Sequence, residues 1–273
     1  MERFFVRFPD GRKKAATFSY DDGVVSDRQF IDILNKYGLK CTFNINAGLS
    51  KRKQFNRLPL EELDCYNSHE IATHGYTHPF FSSLSPEMVT YEITRDRFEL
   101  EESTGRIIRG HAYAYGDFDE KAVEILKNAG ICYARGVTST YNFSIPKNFL
   151  TWQPTCHHKD EKLPILIDQF LSGNPVGNPY ILYVWGHTYE FDSGNERNNW
   201  EHAEFFCSRI AGHKDSVWYA TNIEICDYIN AYRQLKFSMD GSMVYNPTAT
   251  DLWIGQYGSD ESVKLPKGET VKI

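Results

Sequence analysis

Thr17-Phe18-Ser19-Tyr20-Asp21-Asp22-Gly23 is the stretch on which the reading of this chain turns. An apolar run, Ala15 to Phe18, stops abruptly at two adjacent carboxylates and a glycine, the pattern of a buried strand that ends at the mouth of a site. Side-by-side carboxylates repel, and water or an arginine would ordinarily separate them. A metal ion does so better: one carboxylate binds the cation while the other stays close to it as a base. The remaining sequence then has to supply more ligands, an acid and a groove.

Outward from this stretch, strands and helices alternate, which favours a parallel sheet or barrel. Strands are expected over 15–20, 40–45, 70–73, 107–111, 131–134 and 180–185, with 149–155 as a further short one. Helices are expected over 26–37 (capped by Ser26, ended by Gly38), near 59–67, from Pro86 to about Ser103, and over 119–128, 198–211 and 221–234. After Leu235 the texture changes. Short segments broken by Asp-Gly, Asn-Pro, Tyr-Gly and Lys-Gly pairs read as a small antiparallel β appendage. The expected organisation is a catalytic barrel over residues 1–235 and a C-terminal β extension over 236–273.

A chain of 273 residues suits one barrel-sized domain. Its net charge of -6, with no basic run, argues against nucleic acid as a partner. Aromatic residues make up 15% of the chain, enough both for a large core and for platforms on which the apolar face of a sugar could stack. Six cysteines show neither metal spacing nor a dense disulfide framework, and Cys41 and Cys132 read as buried thiols in strands. No stretch of about 18 apolar residues occurs, so no transmembrane helix is expected. Met1–Arg7 has no apolar run of signal-peptide length, and the default expectation is a cytoplasmic protein of unknown oligomeric state.

Two further clusters follow strands. His74-Gly75-Tyr76-Thr77-His78-Pro79 comes just after Thr73. Histidines four apart share a face if helical, but Gly75 weakens a helix and Pro79 pushes His78 out of the α region, so a loop at the strand's end serves as well. One carboxylate and two imidazoles make a three-ligand set that leaves a position open, the mark of a catalytic zinc-type site. Trp185-Gly186-His187 directly follows the most apolar strand, Tyr180 to Trp185, and a histidine there sits at a barrel mouth. His69, His202 and His213 read as surface residues; His111, His157 and His158 could back a site or lie remote from it, a His-His pair being more often solvated.

Ser19-Tyr20-Asp21-Asp22-Gly23, His74-x-x-x-His78, the Tyr115-Gly116 step and the late strand into His187 together resemble the polysaccharide deacetylase family. This is the NodB-homology fold of carbohydrate esterase family 4, and the likeness spans roughly residues 15–234. It implies an α/β fold, a distorted (β/α)7 barrel. It also implies Asp21 as general base, Asp22 as metal ligand with His74 and His78, His187 as general acid, and the Tyr115 backbone N–H as an oxyanion donor. The implied cofactor is a divalent metal: zinc first, with cobalt, nickel or iron suited to the same donors. The implied reaction removes an acetyl group, N-acetyl before O-acetyl, from a carbohydrate such as an N-acetylglucosamine-containing poly- or oligosaccharide.

Two departures stand out. The family's third motif places an arginine where this chain has Ala112; Arg109 and Arg135 are the substitutes at hand, with Arg135 preferred from its place after a strand. The motif that tunes the acid, an aspartate–tryptophan pair, is matched only at Trp152, leaving Asp168, Glu190 or Asp192 to orient His187. Tyr76, Tyr113, Trp152, Trp185 and Tyr189 are candidates to line the groove. The alternatives to a sugar deacetylase are a related amide hydrolase acting on a non-sugar substrate such as a cyclic imide, a catalytically silent carbohydrate-binding barrel, and a structural metal site in another α/β enzyme.

Overall fold

The computed structural model describes residues 4–257 and 259–273. Its centre is the strand β1 (Lys14–Asp21), buried along its whole length. Alternation gives that strand two different faces. Phe18 packs on Phe206 with ring centroids 6.1 Å apart, and Tyr20 on Phe30 at 4.3 Å, so the even positions face helices Asp27–Tyr37 and Trp200–Ile210. The odd positions face a polar interior, where Thr17 Oγ1 donates to Asn222 Oδ1 at 2.8 Å and Asn44 Nδ2 donates to Ser19 Oγ at 2.8 Å. Asp21 is the next rung of that inner polar column.

Around β1 the chain adds β2 (Cys41–Ile45), β3 (Glu70–Thr73), β4 (Gly110–Ala112), β5 (Tyr133–Arg135), β6 (Cys156–His157), β7 (Tyr180–His187) and β8 (Val217–Tyr219). Their order is β5-β4-β3-β2-β1-β7-β6, with every pairing parallel. β2 pairs with the upper part of β1 (Phe18–Asp21) and β8 with its lower part (Lys14–Ala16), which adds an eighth strand off the main path. Residues 152–157 bridge the open side: Trp152 pairs with Arg135 of β5, and the Thr155 N–H donates to the Tyr183 carbonyl of β7 at 2.8 Å. The result is the distorted barrel that the resemblance implied.

The expected strand over 149–155 is a 3-10 turn, Phe149–Thr151, followed by a single bridge at Trp152. Pro154, which has no N–H to give a ladder, stands in that segment. The expected helix near 59–67 is likewise a 3-10 turn, Leu60–Tyr66, and the strand expected from Ile107 begins only at Gly110. Ser26 does not cap its helix; its Oγ donates instead to Asp192 at 2.6 Å. All six thiols are free, and Cys132 is half-buried where full burial was expected.

The C-terminal segment forms two small antiparallel sheets. One orders Lys236–Phe237, Met243–Tyr245 and Thr270–Lys272; the other places Leu252–Gln256 between Ser262–Leu265 and the N-terminal strand Phe4–Arg7. Leu252, Ile254 and Leu265 share a core with Phe8, Tyr228 and Ile229, which seats the second sheet against helix Asn222–Tyr232. Among the described residues no helix is long and apolar enough to cross a membrane.

Candidate active site

Parallel register carries the strand ends to one rim. Asp21 lies opposite Asn44 and His187, Ile45 opposite Thr73, and Ala112 opposite Arg135. Were β1 to continue, Asp22 would point away from Asp21. It does not, because Asp22 takes a φ of 88°, a left-handed conformation that aspartate accepts more readily than bulkier residues. The turn is held by the Asp22 N–H donating to the Asn44 carbonyl and the Leu58 N–H to the Gly23 carbonyl, each at 2.8 Å. Both carboxylates therefore face one imidazole: His74 Nε2 stands 3.7 Å from Asp21 Oδ2 and 3.8 Å from Asp22 Oδ1.

His74 is fixed on three sides. Its N–H donates to Asp96 Oδ2 at 2.9 Å, its carbonyl accepts from Asn46 Nδ2 at 2.8 Å, and its Nδ1–H donates to the Ala112 carbonyl at 2.7 Å. That last bond sets the tautomer and leaves the Nε2 lone pair free for a ligand. The segment after it is a turn, not a helix: Gly75 and His78 have φ of 79° and 62°. The turn aims His78 Nε2 at Asp22 Oδ1, 3.7 Å away. Burial disfavours the imidazolium at both positions, lowering His74 and bringing His78 down to about 4, so both rings are neutral donors at ordinary pH.

One atom each from Asp22, His74 and His78 lies within 4.8 Å of the other two. Bonds of ~2.0–2.2 Å at tetrahedral angles place ligand atoms ~3.3–3.6 Å apart, so the spacings around Asp22 Oδ1 need to close by only a few tenths of an ångström. With two neutral imidazole nitrogens and one carboxylate, the donor set fits a divalent ion of the zinc type.

Asp21 accepts Asn44 Nδ2 at 2.8 Å on one oxygen and the fully buried Arg135 Nη2 on the other. Burial would raise its pKa, but Arg135, His74 and His187 outweigh it and hold the carboxylate well below its usual range. Arg135 in turn lies 4.5 Å from the centre of the Trp185 ring. Arg109, the other candidate, is elsewhere, paired with Asp227 at 2.7 Å. His187 Nε2 stands 3.9 Å from Asp21 Oδ2, while its Nδ1–H donates to Glu190 Oε2 at 3.2 Å. Burial works against the charged ring, yet Glu190 and Asp21 prevail and raise its pKa. Of the three acids considered for orienting His187, only Glu190 touches it; Asp168 bonds Arg209, and Asp192 bonds Ser26 and Trp200.

Glu190 also takes His157 Nε2 at 3.1 Å and Lys159 Nζ at 2.9 Å. Those bonds account for the grouping of His157, His187 and Glu190 as a second set of potential ligands. The pair His157-His158 is thus not solvated: His158 is fully buried, and His157, largely buried, stands behind His187 through Glu190, the other place open to it. His69 is buried as well, its pKa lowered by burial to about 4.

Above the cluster lies a groove of about 640 Å³ whose walls include Arg57, Thr77, His78, Tyr115 and Tyr189. Tyr115 has φ 57° and stacks on Phe80 with centroids 4.0 Å apart. Tyr113 and Trp152 belong to the core instead. A smaller cavity of about 320 Å³, lined in part by Lys40, His69, Glu70 and Arg106, opens at the N-terminal ends of the strands, away from this cluster.

Sequence reasoning missed Arg57 and Asp96. Arg57 Nη2 donates to Asp22 Oδ1 at 2.8 Å, and Asp96 accepts both the His74 and the Ala47 N–H groups. Arg57 lies in a polar loop and Asp96 in a charged helix, settings where such residues usually meet water.

Residues 9–134 match a family model described as Polysaccharide deacetylase. The resemblance read from the sequence is borne out over that span, which holds Asp21, Asp22, His74, His78 and Tyr115 but not Arg135 or His187. Solved structures agree on the fold. A Mycobacterium smegmatis protein assigned to the polysaccharide deacetylases superimposes with a TM-score of 0.62 at 16% identity, over 84% of this chain and 94% of that one. A family 4 carbohydrate esterase from Streptomyces lividans, in complex with acetate, gives 0.51 at 14% identity, over 77% and 93%. A family 4 pseudoenzyme from Bacillus anthracis gives 0.52 at 17% identity, over 82% and 68%. No curated protein sequence matches the chain.

Proposed function

We propose that this protein is a metal-dependent hydrolase that removes acetyl groups, N-acetyl foremost, from a carbohydrate such as an N-acetylglucosamine-containing poly- or oligosaccharide. The observation that carries the reading is the meeting of Asp22 Oδ1, His74 Nε2 and His78 Nε2 within reach of one ion, beside Asp21 and His187. The barrel within residues 1–235 is its catalytic part, and 236–273, joined by the strand Phe4–Arg7, is an extension to it.

Asp22, His74 and His78 would hold the ion, zinc before cobalt, nickel or iron. Bound there, a divalent cation would supply Lewis acidity to the acyl carbonyl and lower the pKa of water to near ~7, within reach of a carboxylate as weakly basic as Asp21. Asp21, kept ionised by Arg135, accepts the proton of the attacking water. The Tyr115 N–H donates to the oxygen of the tetrahedral intermediate, a type of contact that stabilises transition states by ~3–4 kcal/mol elsewhere. His187, protonated and oriented by Glu190, passes its proton to the departing amine. Tyr115 and Tyr189, both substantially exposed beside the groove, offer ring faces to a sugar.

Acetate release from chitooligosaccharides, with cyclic imides as the comparison substrates, tests the reaction. Asp22→Ala or His78→Ala should lose zinc and activity together, and Asp21→Asn should keep zinc but lose turnover. A fully active Asp21→Asn protein sinks the role given to Asp21.

A further inference from the structure

Each of the two adjacent carboxylates has its own arginine. Arg135 serves Asp21 from inside the barrel; Arg57 serves Asp22 from the loop above it. Arg57 Nη2 lies 2.8 Å from Asp22 Oδ1 and 3.4 Å from Asn46 Oδ1. That same Oδ1 is the atom facing His74 Nε2 at 3.8 Å and His78 Nε2 at 3.7 Å. A guanidinium and a cation seated between the imidazoles would therefore draw on one oxygen.

Arg57 is not a loose surface side chain, being only 8% exposed. Its backbone bridges to Val24, flanked by the Val25 N–H on the Asn56 carbonyl at 2.9 Å and the Leu58 N–H on the Gly23 carbonyl at 2.8 Å. The residues before it are held in a conformation unfavourable to side chains, with φ of 52° at Lys53 and 55° at Phe55 and Asn56. Strain of that kind persists only where surrounding contacts impose it. Here they tie the loop to the Asp21-Asp22-Gly23 turn. With Asp21 and Asp22 matched by Arg57 and Arg135, the four charges sum to zero, and a divalent ion would enter with no surplus negative charge to receive it.

We propose that Arg57 is a built-in competitor for the metal ligand: it holds and neutralises Asp22 when no ion is bound, and it weakens the site's hold on a divalent cation so that the ion exchanges. This rests on Asp22, His74 and His78 being the ligand set. The test uses wild type, Arg57→Gln and Arg57→Lys, each stripped of metal with a chelator and titrated with Zn2+ by calorimetry, with melting curves at zero and saturating zinc. Wild type should bind one zinc. Arg57→Gln should bind it about tenfold tighter or more, the equivalent of ~1.4 kcal/mol, and melt lower than wild type without zinc. Arg57→Lys, which keeps the charge, should stay close to wild-type affinity.

Equal or weaker binding by Arg57→Gln overturns the proposal while leaving the ligand set standing; a wild type that binds no zinc overturns both. Should Arg57→Gln fail to fold, wild type carries the test through 15N guanidinium spectra during the zinc titration. The arginine signal absent from Arg57→Lys should exchange faster with water as zinc saturates, and an unresponsive signal overturns the competition.

Discussion

Glu190→Gln removes one negative charge from behind His187 while keeping an oxygen to accept its bonds. Glu190 Oε2 receives the His187 Nδ1–H and the His187 backbone N–H, both at 3.2 Å. The carboxylate is held far below its usual range, against the pull of burial, chiefly by His157 and His187, so it is ionised wherever an enzyme works. Unit charges ~4 Å apart at an effective dielectric of ~20 interact by ~4 kcal/mol. That is an upper bound here, because His157 and Lys159 share the same carboxylate. A charge-assisted hydrogen bond contributes a net ~1.5–3 kcal/mol, and at ~1.36 kcal/mol per unit this amounts to ~1–2 pH units. Lys159, left without its partner, pushes in the same direction. The alkaline limb of kcat/KM, set by loss of the His187 proton, should thus move down by ~1–2 pH units. Acetate release measured across the pH range reads it directly. An alkaline limb that stays where wild type has it would refute either His187 as the acid or Glu190 as its counter-charge.

Two buried carboxylates give further tests. Asp96→Ala leaves the Ala47 N–H without an acceptor, while the His74 N–H keeps the Ile45 carbonyl at 3.1 Å; at ~1–3 kcal/mol for a stranded group, denaturant unfolding should show a loss of ~1–3 kcal/mol, with weaker zinc binding. A loss below ~1 kcal/mol would show that these bonds are dispensable. Asp27 accepts from Tyr66 and Thr188 in a fully buried setting, and burial lifts its pKa to about 7. Above a pH of ~4 the unfolded chain gives up a proton that the folded one keeps, so this group's contribution to stability falls as pH rises toward 7. Asp27→Asn cannot ionise, and its stability relative to wild type should improve across that window; a difference that does not change with pH refutes the assignment.

The strands and the clusters at their ends were legible because both rest on local patterns: an apolar run closed by Asp21-Asp22-Gly23, and histidines placed just after a strand. The positive φ at Asp22, which turns the second carboxylate alongside the first, was not legible, since it depends on β2 lying next door to accept its N–H. Arg57, Asp96 and the partners of Glu190 escaped for a related reason. Each comes from a loop, helix or short strand in which nothing local marks that residue as inward-facing, and only the closed barrel reveals what it meets. His69 and His158 show the converse error. One read as a surface group and the other as half of a pair more often solvated, they are buried by pairing that joins distant segments, with His69 Nδ1 accepting the Cys41 N–H and the His158 N–H donating to the Trp185 carbonyl.

The pairing of Phe4–Arg7 with Leu252–Gln256 has a consequence for biosynthesis. At ~5–20 residues per second, a ribosome needs ~12–50 s to make the ~245 residues that separate the two partners. Throughout that interval Phe4–Arg7 lacks this partner strand, and its apolar Phe5 and Val6 stay open to the cell's holding factors. Closure of this sheet therefore waits until Leu252–Gln256 has been made.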